Sequence, residues 1–182
     1  MTVTLRRVAT DELTDDEIQA ARRVLWAAFE DPDEGMTEDD WAHALGGVHV
    51  LLELDGEIVG HASVVERELH VDGRSLRTGY VEAVAIDPRQ QRIGLGSQLM
   101  TAIDSVVVER FELGALGTGS PEFYERLGWL RWDGPTFVRA PTGLQRTADE
   151  DGGILVLPTP GTPADLDRST SISCDWRNGD VW

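Results

Sequence analysis

Residues 80–86 read Tyr80-Val81-Glu82-Ala83-Val84-Ala85-Ile86, an apolar strand-like stretch with one carboxylate inside it. Asp87-Pro88 ends the stretch. Gln91-Arg92-Ile93-Gly94-Leu95-Gly96 then leads into a helical pattern through Leu99, Ile103, Val106 and Val107. Strand, glycine-containing turn and amphipathic helix, in that order, restrict the chain sharply. The glycines let the backbone turn with N–H groups facing one point, and the helix adds its positive N-terminal end. Together they make an anion site suited to a pyrophosphate, with Arg92 as a mobile positive charge. Taken alone, the glycine spacing equally fits a plain turn without a ligand, because short glycine motifs recur by chance.

The flanking pattern predicts an α+β domain. Val3, Leu5 and Val8 mark a first strand. Thr14-Asp15-Asp16-Glu17 has the form of a capping box, and the helix it opens puts Ile18, Ala21, Leu25, Ala28 and Phe29 on one face. Thr37 caps a second helix through Asp40, Trp41, Ala44 and Leu45, stopped by Gly46-Gly47. Residues 48–54 and 57–66 read as strands joined at Asp55-Gly56, and Asp72-Gly73 marks a further hairpin turn. Residues 111–116 read as a strand. Ser120-Pro121 opens a short helix that Gly128 stops. Residues 129–139 and 154–157 read as the last strands, and residues 158–170 as a loop. The order is β-α-α-β-β-β-α-β-α-β-β, without an internal repeat or a linker, so residues 1–182 are expected to form one domain.

Charge narrows the function. The 182 residues carry 33 acidic side chains against 16 basic ones, a formal net charge of −17, and every basic residue is arginine. Such a surface repels nucleic acid and anionic lipid and attracts cations. Without lysine there is no Schiff-base chemistry and no phosphate-loop lysine. Cys174 is the single cysteine, which excludes an intrachain disulfide; a lone cysteine is more often a small buried hydrophobe than a nucleophile. His43, His49, His61 and His70 show no metal-ligand spacing, so no metal is expected. No apolar run has the length of a membrane span and the first residues carry no signal-peptide core, so a cytoplasmic protein is expected.

The loop has the Q-x-x-G-x-G form of the acetyl-CoA loop of the GNAT acetyltransferases. Downstream, after a strand, comes a helix with a tyrosine, Phe123-Tyr124-Glu125-Arg126-Leu127-Gly128-Trp129, in the order that superfamily uses. Further segments narrow the resemblance: Asp40-Trp41-x-His43-x-Leu45-Gly46-Gly47-x-His49, Gly79-Tyr80-Val81-Glu82, Gly134-Pro135-Thr136, Ala140-Pro141-Thr142-Gly143 and the terminal Cys174-Asp175-Trp176-Arg177-x-Gly179-Asp180-Val181-Trp182. From the second helix to the last residue the chain resembles the aminoglycoside 2'-N-acetyltransferases. It departs from them around residues 31–36 and 117–120.

The resemblance implies a GNAT acyl-CoA N-acyltransferase fold, a mixed, mostly antiparallel sheet with flanking helices and a splayed central strand pair. It implies acetyl transfer from acetyl-CoA, without a metal, to the 2'-amine of an aminoglycoside, conferring resistance, by a homodimer. Glu82 would accept the amine proton, directly or through a water, and Tyr124 would protonate the leaving thiolate. The backbone of Val84, Ala85 and Ile86 would bind the acetyl and pantetheine arm, and Gln91, Arg92, Ile93, Gly94, Leu95 and Gly96 the pyrophosphate. Asp40, Glu82, Ala83, Gly117, Glu150, Asp180 and Trp182 would meet the acceptor, with Asp33 or Glu34 joining them.

Plainer readings stand beside these. Glu82 could be a partnered or strand-end carboxylate; strand alternation puts it on the same side as Val84 and Ile86. Tyr124 could be core packing beside Phe123. Tyr80 is expected to be structural. Most acids would be a solvated face, although a cleft lined by carboxylates would concentrate a sugar polycation. Trp26, Trp41, Trp129, Trp132 and Trp176 are expected in core or interface, whereas docking the ring of Trp182 would place the Asp180 carboxylate beside the chain's own. That is costly unless a cation shares the site. Two alternatives remain open: a GNAT enzyme for another amine, such as a polyamine or a cell-wall amino sugar, and a non-catalytic module that binds acyl-CoA or drug.

Overall fold

Thr14 and Thr37 start the two N-terminal helices of the computed structural model, which describes residues 1–31 and 35–182. Helix α1 covers Asp15–Ala28 and α2 covers Glu38–His43. The Thr14 hydroxyl accepts from the Glu17 N–H at 3.3 Å, and the Glu17 carboxylate accepts from the Thr14 N–H at 2.9 Å. Thr37 and Asp40 repeat the arrangement in α2. Three acids in the first turn of each helix face the positive end of its dipole.

The chain forms two compact units, residues 1–65 with 81–106 and residues 66–80 with 107–182. In the first, β1 (Val3–Ala9) pairs antiparallel with β2 (Val48–Leu54), and β2 pairs antiparallel with β3 (Glu57–Val71). Asp55 and Gly56 both have positive φ, 51° and 88°, the geometry of a two-residue hairpin turn. Asp72 and Gly73 do the same, at 48° and 76°, between β3 and β4 (Arg74–Ile86). Val8, Ala21, Val24, Leu25, Trp41, Ala44, Leu51 and Ala85 build this unit's core. Phe29, expected on the buried face of α1, is 43% exposed. The helix ends at Ala28, and the non-helical backbone of Phe29 turns its side chain off the apolar stripe. Helix α2 is also shorter than expected, because Ala44 and Leu45 bond to carbonyls only three residues back and tighten the end.

In the second unit the strands run in the order β6-β9-β5-β4-β3-β10-β7-β8. Their ranges are β5 Leu113–Gly117, β6 Leu130–Arg131, β7 Thr136–Ala140, β8 Gly143–Arg146, β9 Ile154–Pro158 and β10 Ile172–Asp175. Parallel pairing joins β4 to β5, from Thr78↔Leu113 to Tyr80↔Ala115, and β10 to β7; the remaining pairs are antiparallel. Helix α3 (Leu95–Arg110) follows β4, and α4 (Pro121–Glu125) follows β5. The result is the expected mixed, mostly antiparallel sheet with flanking helices. The stretch 129–139 is two strands rather than one. A side chain at Gly134 would collide with the Thr170 carbonyl, so the chain bends there against the following loop. Among the described residues, no helix is long and apolar enough to cross a membrane.

A polar chain crosses the core of the first unit. The Thr10 hydroxyl meets His49 Nε2 at 2.8 Å, and His49 Nδ1 meets His61 Nε2 at 2.9 Å. His61 Nδ1 donates to the Ala83 carbonyl at 2.8 Å, and Trp41 covers both rings. Burial lowers the His49 pKa from 6.5 to about 4 and that of His61 to about 3. Unfolded histidines therefore bind protons near pH 6.5 where the folded ones do not. Their contribution to stability is complete above that pH and is lost as the pH falls, by about 1.4 kcal/mol per unit for each ring. Urea unfolding midpoints are expected to drop steeply from pH 7 to pH 5, before most carboxylates titrate. A flat profile over that range would contradict the buried, neutral pair.

Candidate active site

The end of β4 is built around a break in its own pleat. Ala83 has φ +52°, the only non-glycine residue within a strand, among the described residues, that takes the left-handed conformation. Such a residue costs about 1–3 kcal/mol and persists where its surroundings over-determine it. Here His61 holds the Ala83 carbonyl, and Ser63 Oγ lies 3.5 Å from the Glu82 carbonyl. The kink corrects the expectation that alternation places Glu82, Val84 and Ile86 on one side. Glu82, Ala83 and Val84 are all partly exposed, and Ala85 and Ile86 are both buried. Alternation requires extended backbone at each step.

Beyond the strand, the Gln91 side-chain amide donates back to the Ile86 carbonyl at 3.0 Å and closes the loop onto β4. Asp87 accepts from the Arg89 N–H and guanidinium, which hold its carboxyl below the usual range. Arg92 and Gly94 have φ of +65° and +88°, and α3 begins at Leu95 with Gly96 in its first turn. Leu95 and Leu99 are buried and anchor the helix, while Gln91, Arg92, Ile93 and Gly94 stay exposed. The loop thus presents its backbone and the first N–H groups of α3, which have no partner within the helix. Gly94→Val would strain the left-handed turn and put a side chain where a phosphate would lie. We expect its KM for acetyl-CoA to rise about tenfold or more; an unchanged KM would contradict the loop's role.

Asp40 belongs to the same unit. Its Oδ2 accepts from the Thr37 N–H and hydroxyl at 2.8 and 2.7 Å, so part of its carboxylate caps α2. Asp33 and Glu34 lie outside the described residues.

In the second unit, Pro121 opens α4 and Gly128, at φ +95°, ends its final turn, which brings Trp129 beneath Tyr124. The Tyr124 ring stands edge-on to Phe123 and Trp129, at 4.9 and 6.5 Å between centroids. Burial pushes its phenol up to about 12, so it stays protonated at neutral pH and is able to donate.

The tail of this unit is docked. The Trp182 ring is 4% exposed, and its indole N–H donates to Thr147 Oγ1 at 2.9 Å. The Trp182 backbone N–H donates to Asp180 Oδ1 at 3.0 Å. Two arginines that the sequence did not single out for the site hold this geometry. Arg177 donates to the main-chain oxygens of Asp180 and Trp182 at 2.7 and 2.9 Å. Arg67, 5% exposed, donates to Asp175 Oδ1 and to the carbonyls of Asp175 and Val181. Both guanidiniums stack on the buried Tyr80 ring, at 4.7 and 5.6 Å. A cation is therefore already present at the tail, supplied by Arg177, where the sequence argument required one from outside. Gly117 lies alongside: a side chain there would come within 3.6 Å of the Trp182 carbonyl carbon. Glu150 is raised above the usual carboxylate range, by burial first and then by Asp180 and Asp149. Asp151, its neighbour, is instead held well down by Arg146 and Thr136 and is structural. So Gly117, Glu150, Asp180 and Trp182 come together.

Cys174 is buried, its thiol donates to the Val181 carbonyl, and burial pushes it up to about 11, which removes it as a nucleophile. Among the described residues, no group of three or more His, Cys, Asp or Glu side chains could hold a metal ion.

A model of the acetyltransferase (GNAT) domain matches residues 9–131. An aminoglycoside 2'-N-acetyltransferase of Mycolicibacterium fortuitum is 42% identical over 183 residues, covering 98% of this chain and 92% of that protein. Among solved structures, the GNAT family N-acetyltransferase YhbS of Escherichia coli, in complex with CoA, superposes with a TM-score of 0.66 at 16% identity, covering 96% of this chain and 89% of that one. Eis1 of Mycobacterium abscessus gives 0.60 at 20% identity over 75% of this chain, which spans only 33% of Eis1.

Proposed function

The chain belongs to the GNAT acetyltransferase family, and from that premise we propose that it transfers the acetyl group of acetyl-CoA to the 2'-amine of an aminoglycoside. The observation that carries the acceptor is the meeting of Glu150 with Asp180 beside the docked Trp182. Burial and the nearby Asp180 carboxylate raise the proton affinity of Glu150, and two acids so placed form a place for ammonium groups. The near-full-length relative named for aminoglycosides supports the same acceptor.

The residues divide the reaction as follows. Residues 91–96 and the start of α3 receive the pyrophosphate, and the backbone of 84–86 receives the thioester arm. Glu82 takes a proton from the attacking ammonium, directly or through a water. The free amine attacks the thioester carbon, the N–C bond forms, and the tetrahedral intermediate collapses with loss of the C–S bond. Tyr124 gives its proton to the departing sulfur, the nitrogen loses its second proton to water as the amide forms, and solvent returns a proton to the phenolate. No covalent enzyme intermediate is needed. The homodimer implied by the resemblance belongs to the same proposal.

Thiol release from acetyl-CoA, followed across a panel of amines, tests the reading. Kanamycin B, tobramycin and gentamicin C are expected to react well. Faster release with a polyamine or a cell-wall amino sugar would reassign the acceptor, and no release with any amine would leave a binding module. Asp180→Asn keeps the oxygen that accepts from the Trp182 N–H but removes the charge. We expect it to raise the aminoglycoside KM roughly three- to tenfold, on the order of 1 kcal/mol, with the acetyl-CoA KM unchanged. Unaltered kinetics would place the acceptor elsewhere.

A further inference from the structure

The Thr10–His49–His61–Ala83 chain has a direction, and both of its ends enforce it. At one end a carbonyl can only accept, so His61 Nδ1 carries a proton. A neutral His61 then has a bare Nε2, which must accept from His49 Nδ1–H. His49 Nε2 is bare in turn and accepts from the Thr10 hydroxyl. At the other end, Thr10 Oγ1 already accepts from the Gly46 and Gly47 N–H groups at 2.8 and 3.2 Å, which fills its lone pairs and leaves no acceptor for a His49 Nε2–H; its own proton has His49 Nε2 at 2.8 Å and the Gly47 carbonyl only at 3.3 Å. Both rings are fully buried, so neither has water as an alternative partner. The chain ends on the carbonyl of the one left-handed non-glycine residue within a strand among those described.

We propose that His61 is a positioning residue for acetyl transfer. Its Nδ1–H, fixed in that tautomer by His49 and Thr10, holds the Ala83 carbonyl and so keeps the kink of β4 that carries Glu82 on one side and the N–H groups of 84–86 on the other. The inference rests on the reading above that this segment handles the thioester and the amine proton. The ring never touches substrate. It sets the backbone that does, and a displacement of about 1 Å at reacting groups costs on the order of 10²-fold in rate.

The test compares the wild-type protein with His61→Leu and His61→Asn. The Asn side-chain nitrogen occupies nearly the position of Nδ1 and retains the donor. Long-range ¹⁵N–¹H spectra of the histidine-labelled wild type are expected to show His49 and His61 as Nδ1–H tautomers. His61→Leu is expected to lower kcat about 10- to 100-fold, with both KM values nearly unchanged and the Ala83 and Val84 amide signals shifted. His61→Asn should restore most of kcat and return those signals. An Nε2–H tautomer at His61, wild-type kcat in His61→Leu, or equal losses in both variants would overturn the proposal. If His61→Leu fails to fold, the wild-type tautomer and the Asn variant decide. A wild-type protein inert toward aminoglycosides would sink the acceptor reading, not this one, which the Ala83 and Val84 signals then decide: unmoved in the Leu variant, they overturn it.

Discussion

Glu82→Gln is expected to lower kcat by about 10²–10⁴, the usual worth of a positioned general base. The substitution keeps size and polarity, so the kink at Ala83 and its bond to His61 have no reason to change. The deficit has a predicted pH dependence. At neutral pH the acceptor amine is mostly protonated and needs a base. As the pH rises toward the amine's own pKa the free form becomes available from solution, and the gap between variant and wild type should shrink. A pH–rate profile of both proteins at saturating substrates checks this. A constant gap across pH would assign Glu82 a binding role, and an equal rate would remove it from the reaction.

Tyr124→Phe should lower kcat by about 10²-fold, near the lower end for general-acid catalysis. A thiol with a pKa near 8.5 leaves as thiolate without much help. The ring contacts with Phe123 and Trp129 survive the change, because they involve the ring and not the hydroxyl. Folding stability and both KM values should therefore hold. The phenol, pushed up to about 12, is protonated over the whole working range, so the wild-type rate should show no titration of this group below pH 10. An unchanged kcat, where chemistry limits the rate, would reduce Tyr124 to packing.

What the sequence revealed was local. A capping box lies within four residues, and so both N-terminal helix starts were legible from Thr14 and Thr37. Asp-Gly pairs specify their own turns, and so the hairpins at Asp55 and Asp72 were legible too. The phosphate-type loop is likewise one continuous segment.

The rest depends on distant partners. Strand β10 is four residues long and is a strand only because β3 and β7 flank it. Arg67 and Arg177 look like ordinary surface arginines until the tail folds over Tyr80. The histidine pair is the sharpest case. An unbroken β2–β3 hairpin would put His49 and His61 on opposite faces of the sheet. The register shifts by one residue between Leu52 and Glu53, where Leu52 faces Gly60 and Glu53 faces Ile58, so that Val59 is the extra residue. That bulge moves His61 to the face of His49. Nothing in the residues around Val59 announces it, and the kink at Ala83 lies against what it creates.

The central claim is regiochemical and one product settles it. Tobramycin and acetyl-CoA are incubated with the protein, and the acetylated drug is mapped by NMR. The account predicts a single acetyl group on the 2'-nitrogen and no N-acetylation at that position of an analogue with a 2'-hydroxyl. Acetyl on the 3- or 6'-nitrogen would contradict the acceptor roles proposed for Glu82, Glu150 and Asp180, even with the acetyltransferase chemistry intact.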